Sequence, residues 1–163
     1  MFRRATYADT GAIAKIYNQA MKPGIFAISH IAPDTYKERA LWLSEHKDPY
    51  PAFVYETDNG IVIGWCSLSR FCVRPEYIEV AETSRYIDEN HRGKGLGRLM
   101  LAHLIETATN LGLRLLVSRA YERNIRTIKS ADPFGFQRVA VLHETARIHG
   151  EWHNDAFFWK KLR

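Results

Sequence analysis

The stretch Asn90-His91-Arg92-Gly93-Lys94-Gly95-Leu96-Gly97-Arg98 concentrates three glycines within five positions among three cations. Glycines leave main-chain N–H groups free to turn toward a ligand without interference from Cβ, and a helix beginning there adds the positive end of its dipole. Such a cradle suits a pyrophosphate. The spacing excludes two familiar phosphate loops. A Walker A loop needs G-x-x-x-x-G-K-[ST], whereas Lys94 lies between two glycines and no Ser or Thr follows it. The dinucleotide fingerprint G-x-G-x-x-G lacks its third glycine here, and the loop sits mid-chain rather than in a first βα unit. What remains is R-x-x-G-x-G, formed by Arg92, Gly95 and Gly97.

Other residue types pose a metal or nucleophile question. His149 and His153 are four apart, with His143 and Glu151 nearby, but H-E-x-x-H is absent and Gly150 with Trp152 reads as a turn entering a strand. No metal site is expected. Cys66 and Cys72 are too few for a disulfide framework and have no zinc spacing, so both are expected as reduced thiols, small hydrophobes in the first instance.

The elements that position the loop follow from hydrophobic periodicity. Residues 2–5 form a short strand, and Ile13, Ala14, Ile16, Tyr17 and Ala20 recur at helical spacing over residues 8–21, which Lys22-Pro23-Gly24 ends. A second helix starts at Pro33-Asp34 and runs through Leu43. Strands at 52–57 and 61–68 are joined by Asp58-Asn59-Gly60, a hairpin turn of residues that tolerate positive φ. A strand at 78–88 leads into the glycine loop. The helix after it carries Leu96, Met100, Leu104 and Ala108 as an apolar stripe and stops at Asn110-Leu111-Gly112. A strand at 113–120, a short helix from Asn124 interrupted at Asp132-Pro133, and aromatic-rich strands at 136–143 and 155–161 complete the order β-α-α-β-β-β-α-β-α-β-β.

Composition narrows the class. The 163 residues make one α/β domain spanning 1–163, and 46% hydrophobic with 25% charged residues is the content of a soluble globular protein. The start Met1-Phe2-Arg3-Arg4 lacks a signal-peptide core and no apolar run could span a bilayer, so a cytoplasmic enzyme with no membrane partner is expected. A net charge of +5 leaves room for nucleic acid, but the basic residues are scattered and no zinc-finger, RRM or KH signature occurs. An acidic cofactor accounts for the excess equally well.

The element order, with R-x-x-G-x-G after the fourth strand, resembles the GNAT superfamily of acetyl-CoA-dependent N-acetyltransferases. The likeness narrows through Arg3-Arg4-Ala5-Thr6, Ile16-Tyr17-Asn18, Arg74-Pro75-Glu76-Tyr77, Ala81-Glu82-Thr83, Asn124, Gly135-Phe136 and His149-Gly150-Glu151-Trp152-His153. Over nearly the whole chain these resemble phosphinothricin acetyltransferases and methionine sulfoximine acetyltransferases. The resemblance implies a mixed sheet of about seven strands flanked by helices, a homodimer, and direct transfer from acetyl-CoA to the amine of a small amino acid or analogue. It implies Glu82 as general base, directly or through a water. It implies an oxyanion site at main-chain N–H groups near Tyr86 and Ile87. Cofactor contacts at Tyr86, Ile87, Asp88, Arg92, Gly93, Lys94, Gly95, Leu96, Gly97, Arg98 and Asn124 also follow, although Asn124 equally suits a helix N-cap. On the acceptor side it implies Arg74 and Tyr77 as a carboxylate clamp, Phe26 as an apolar wall or core residue, and His149 and Trp152, with His149 reaching the pocket within one chain or across a dimer.

Three positions depart from that pattern. Cys72 stands where relatives usually carry Lys or Arg, which removes one cation from the expected pocket and weighs against a doubly anionic acceptor. Ala131 stands where a Tyr or His would protonate the leaving thiolate, so either no acid is used or a residue such as Tyr121 serves. Pro133 points to a different local backbone in that turn. The competing readings are a noncatalytic acyl-CoA-binding or sensing domain, and an acetyltransferase for polyamines or protein N-termini. Glu82 argues against the first. Arg74 and the lack of an acidic cluster argue against the second.

Overall fold

The computed structural model describes residues 1–25, 27 and 32–163, so Phe26 lies outside the described residues. Seven strands form one sheet in the order β1-β2-β3-β4-β5-β7-β6. They are β1 (Phe2–Arg4), β2 (Ala52–Glu56), β3 (Val62–Arg70), β4 (Val80–Ile87), β5 (Leu115–Tyr121), β6 (Gln137–Ile148) and β7 (Glu151–Lys161). Helices α1 (Thr10–Asn18), α2 (Tyr36–Ser44), α3 (Leu96–Asn110) and α4 (Ile125–Ala131) complete the expected order. Every neighbouring pair is antiparallel except β4 and β5, which run parallel. A parallel pair needs a crossover, and α3 supplies it.

The sheet buries both faces. On one, Met100, Leu104 and Ala108 of α3 pack on Cys66, Leu68, Ala81 and Leu116. On the other, Ile13, Ile16 and Tyr17 of α1 pack on Val54 and Trp65, with Tyr86 and Trp42 against them. The alternation along β4 therefore sends Ala81 and Ile87 to the α3 side and Tyr86 to the α1 side. Arg39 of α2 is buried on that side too, its guanidinium 3.7 Å from the centre of the Tyr17 ring and 2.5 Å from Asp34.

Local signals explain where the elements differ from expectation. The helix expected over 8–21 is split into a 3-10 turn (Tyr7–Asp9), α1 and a second 3-10 turn (Gln19–Met21). The first turn is set by Asp9, whose carboxylate accepts from Thr6 N and receives two hydrogen bonds from Arg3, each 2.8 Å. The second helix begins at Tyr36 because Thr35 caps it, accepting from Glu38 N while Glu38 accepts from Thr35 N. A 3-10 turn at Pro75–Tyr77 delays β4 to Val80. The last two strands are longer than their apolar cores, reaching Ile148 and resuming at Glu151 around His149 and Gly150, both at positive φ.

Leu104 is fully buried at the α3 interface. Leu104→Ala should destabilise the protein by about 2–5 kcal/mol, read as a lower urea midpoint with an unchanged slope.

Candidate active site

The β4–β5 ladder ends early. Val80, Ala81 and Glu82 pair with Leu115, Leu116 and Val117, and among the described residues the pairing stops there, although β4 continues to Ile87 and β5 to Tyr121. The two strands splay into a notch, and the β5-facing main-chain edge of 83–87 is left without a strand partner. A cavity of about 930 Å³ opens there. Its lining includes Glu82, Tyr86, Arg119, Tyr121 and Asn124 together with the glycine loop. The mouth lies at the carboxyl ends of the parallel strands β4 and β5, the usual place for a ligand crevice in α/β sheets.

The loop is built as a cradle. Gly93 and Gly95 have φ of +80° and +84°, a region in which a Cβ is strained. Gly95 is the N-cap of α3 and its carbonyl accepts from Arg98 N at 2.9 Å and Leu99 N at 3.2 Å, which leaves the Leu96 and Gly97 N–H groups without an intrahelical acceptor at the cavity lining. Gly93, Gly95, Leu96, Gly97, Arg92 and Arg98 line the cavity. Arg92 is anchored by donation from Nε to Ile87 O at 3.0 Å. The donors and cations present fit an anionic diphosphate arm.

Two expected loop contacts fall elsewhere. Lys94 lines a separate cavity of about 320 Å³, with Tyr55, Ile63, His91 and Leu99. Asp88 does not line the larger cavity. Its carboxylate accepts from Gln19 Nε2 (2.9 Å) and Asn90 N (3.1 Å) and lies 3.0 Å from His91 Nδ1. The Gln19 bond above all, with those from His91 and Asn90, holds its pKa down to about 2. Asp88 is thus a brace for the loop, and Gln19 completes it by accepting from Glu89 N at 2.9 Å.

Glu82 sits at the vertex of the notch. Burial pushes its pKa above the ordinary carboxylate range, the nearby Arg119 opposing and Asp155 reinforcing that effect. Among the described residues its carboxylate has no hydrogen bond or ion pair. A half-buried, unengaged carboxylate with raised proton affinity can accept a proton from a bound amine.

The sequence model of the Acetyltransferase (GNAT) family matches residues 13–136, from α1 through the notch to the end of the α4 turn. The chain belongs to that family. It is 34% identical over 160 residues to a Bacillus subtilis (strain 168) protein provisionally named phosphinothricin acetyltransferase YwnH, covering 98% of each chain. It is 29% identical to the L-methionine sulfoximine/L-methionine sulfone acetyltransferase of Salmonella typhimurium, covering 98% of this chain and 93% of that one. Among solved structures it is similar to a GNAT superfamily phosphinothricin acetyltransferase from Sinorhizobium meliloti in complex with acetyl-CoA. That match has a TM-score of 0.92 at 29% identity, covering 99% of this chain and 87% of that one. The chain is therefore an acetyl-CoA-dependent N-acetyltransferase of the GNAT type.

Within this GNAT cavity, Asn124 Oδ1 accepts from Thr127 N at 3.2 Å and caps α4 while its side chain borders the cleft. Arg85, half-buried, crosses from β4 to α4, donating to Ser130 Oγ at 2.7 Å and Thr127 O at 3.3 Å. Burial lowers its pKa to about 10. Arg74, Tyr77, His149 and Trp152 do not line the cavity, and all four are exposed. Cys72 also lies outside it. Ala131 is buried in α4. No group of three His, Cys, Asp or Glu side chains is placed to hold a metal among the described residues.

Tyr17, Arg85, Arg119 and Asp155 line the cavity without having been expected there. The signal for Arg119 was its place as the one charge of β5, whereas Asp155 shares β7 with Glu151, Lys160 and Lys161 and has no comparable local signal.

Gly95→Ala places a Cβ at φ +84°, at a cost of about 1–2 kcal/mol. Titration calorimetry should show weakened acetyl-CoA binding, with the far-UV circular dichroism unchanged.

Proposed function

We propose that this acetyltransferase acts on the α-amine of a small amino acid or amino-acid analogue of the phosphinothricin or methionine sulfoximine type, by direct attack with Glu82 as base. The observation that carries this reading is the unengaged Glu82 carboxylate at the vertex of the notch, beside the glycine cradle. The names of the relatives support the acceptor class.

In this reading acetyl-CoA supplies the activated acetyl group. Gly93, Gly95, Leu96, Gly97, Arg92 and Arg98 hold its diphosphate, and Asn124 borders its arm. Glu82 takes a proton from the acceptor ammonium, directly or through one water, and frees the lone pair for attack on the acyl carbon. The N–H of Ile87, next to Tyr86 on the β5-facing edge of β4, is assigned to stabilise charge building on the acyl oxygen. The thiolate departs as the C–S bond breaks. Ala131 offers it no proton, and Tyr121, which lines the cavity, is the candidate donor in its place.

The acceptor's carboxylate is assigned to Arg74 and Tyr77. Both stand outside the monomer's cavity, and so do His149 and Trp152. We read the site as completed in a homodimer. The exposed β6 edge, with Val139 and Leu142 open to solvent, and Trp152, 55% exposed, offer an apolar border for a second copy. In that arrangement Arg74 and Tyr77 of one copy and His149 of another can converge on one acceptor. Cys72 removes a cation from this rim, which favours acceptors with a neutral side chain over a second anion.

Thiol release from acetyl-CoA against phosphinothricin, methionine sulfoximine, ordinary amino acids and spermidine tests the reading. Release is expected with an amino-acid analogue and not with spermidine; the reverse ranking would overturn the acceptor assignment. Glu82→Gln should lower kcat by about 10²–10⁴ while leaving acetyl-CoA affinity intact. Because burial raises the Glu82 pKa, the acid limb of wild-type kcat/KM should lie above 4.5, with activity rising as pH increases through it, and Glu82→Gln should lack that limb.

A further inference from the structure

Two carboxylates and one guanidinium share the acceptor side of the cavity, and the guanidinium is committed to the carboxylate that is not the base. Arg119 donates to Asp155 Oδ2 from Nη2 at 2.5 Å and from Nε at 3.2 Å. Glu82 receives nothing from it. The sheet fixes this choice. Val117 is the residue opposite Glu82, and Arg119 lies two positions further along β5, past the point where the strands part. Across the intact β5–β7 ladder, Asp155 faces Tyr121, one diagonal step from Arg119. A diagonal neighbour across a paired ladder lies within about 7–8 Å by Cα, inside the reach of a long side chain. Asp155 is 6% exposed and so rigidly placed, whereas the Arg119 side chain is 47% exposed and has room to move.

We propose that Asp155 is a positioning residue that holds the Arg119 guanidinium on the β7 side of the cavity, so that an incoming amine meets a Glu82 carboxylate not already ion-paired. This rests on the reading of Glu82 as the base. The other groups that face Glu82 are Ser69 on β3, whose Oγ is 3.1 Å from His46 Nε2, Tyr86 on β4, Tyr17 on α1 and Tyr121 on β5. Arg39 lies behind Tyr17 and is paired with Asp34. Burial pushes the phenols of Tyr17 and Tyr86 up and the imidazole of His46 down, which keeps all three neutral near neutral pH. Arg119 and Asp155 are then the charges that set the field at Glu82.

The two partners act on Glu82 with opposite sign. A cation nearby favours the ionised carboxylate and lowers its pKa; an anion does the reverse. In Asp155→Asn the guanidinium loses its anchor and turns to Glu82. In Arg119→Gln the Asp155 charge stands alone beside Glu82.

The experiment follows the Glu82 carboxyl by ¹³C NMR titration of protein labelled at glutamate, with its resonance assigned by its loss in Glu82→Gln. The Glu82 pKa should fall by about one unit in Asp155→Asn and rise by a similar amount in Arg119→Gln. Arg119→Lys and the double variant Arg119→Gln/Asp155→Asn should stay near wild type. Movement of both single variants in the same direction, or of neither, overturns the proposal. If Asp155→Asn does not fold, a rise in Arg119→Gln that is absent in both Arg119→Lys and the double variant supports it, and no rise overturns it. The acid limb of kcat/KM is measured on the same variants. If the NMR pKa moves as expected and the limb does not follow, the Asp155 assignment stands and the reading of Glu82 as base fails.

Discussion

Everything at the site depends on where the β4–β5 ladder stops. Three residue pairs join the strands, and then the strands part. Unpaired main-chain groups in a half-buried place are costly, and a protein keeps them only where something else pairs with them. Here the glycine cradle begins at the far end of the same open edge, and α3, starting at Gly95, aims its free N–H groups at the mouth. The crossover through α3 keeps β4 and β5 parallel. That arrangement puts the carboxyl ends of both strands on one side of the cleft.

The two faces of the sheet divide the chemistry between them. Arg85 points to the α4 side and is fixed by Ser130 and Thr127, stiffening the wall beside the cofactor cradle. Tyr86, packed with the α1 cluster, points to the other side, as do Tyr17 and Arg39. Gln19 joins the two halves, since its amide donates to Asp88 and accepts from Glu89 N where the loop begins. The end of α1 and the start of the phosphate loop are therefore one hydrogen-bonded unit.

Much of this was legible in the sequence because local signals carried it. The order of elements came from hydrophobic period, the helix start from Gly95, and the positive-φ turn of the loop from its glycine spacing. What could not be read was which side chains cross from one strand to another. Asp88 looked like a cofactor contact because of its place before the loop, yet it turns inward to Gln19, sixty-nine residues away in sequence. Lys94 belongs to the loop but leans to its outer side. Arg119 and Asp155 meet only through the β5–β7 register, which no local pattern encodes. Arg74, Tyr77, His149 and Trp152 are expected on the acceptor side, whereas in a single chain all four are exposed and none lines the cavity.

The open edge of 83–87 has one further consequence. A ligand that docks against bare main chain is recognised by amide geometry, which is common to every residue type except proline. The side chains of that segment project above and below the sheet plane, where they shape the two flanks of the cavity and leave the edge itself to main chain. Thr83 is turned to structural use, buried and donating from Oγ1 to Val117 O at 3.4 Å just where the strands part. In the proposed arrangement the donor meets the edge of β4 and the acceptor meets one of its faces, so a change of side chain on that face leaves the edge geometry in place.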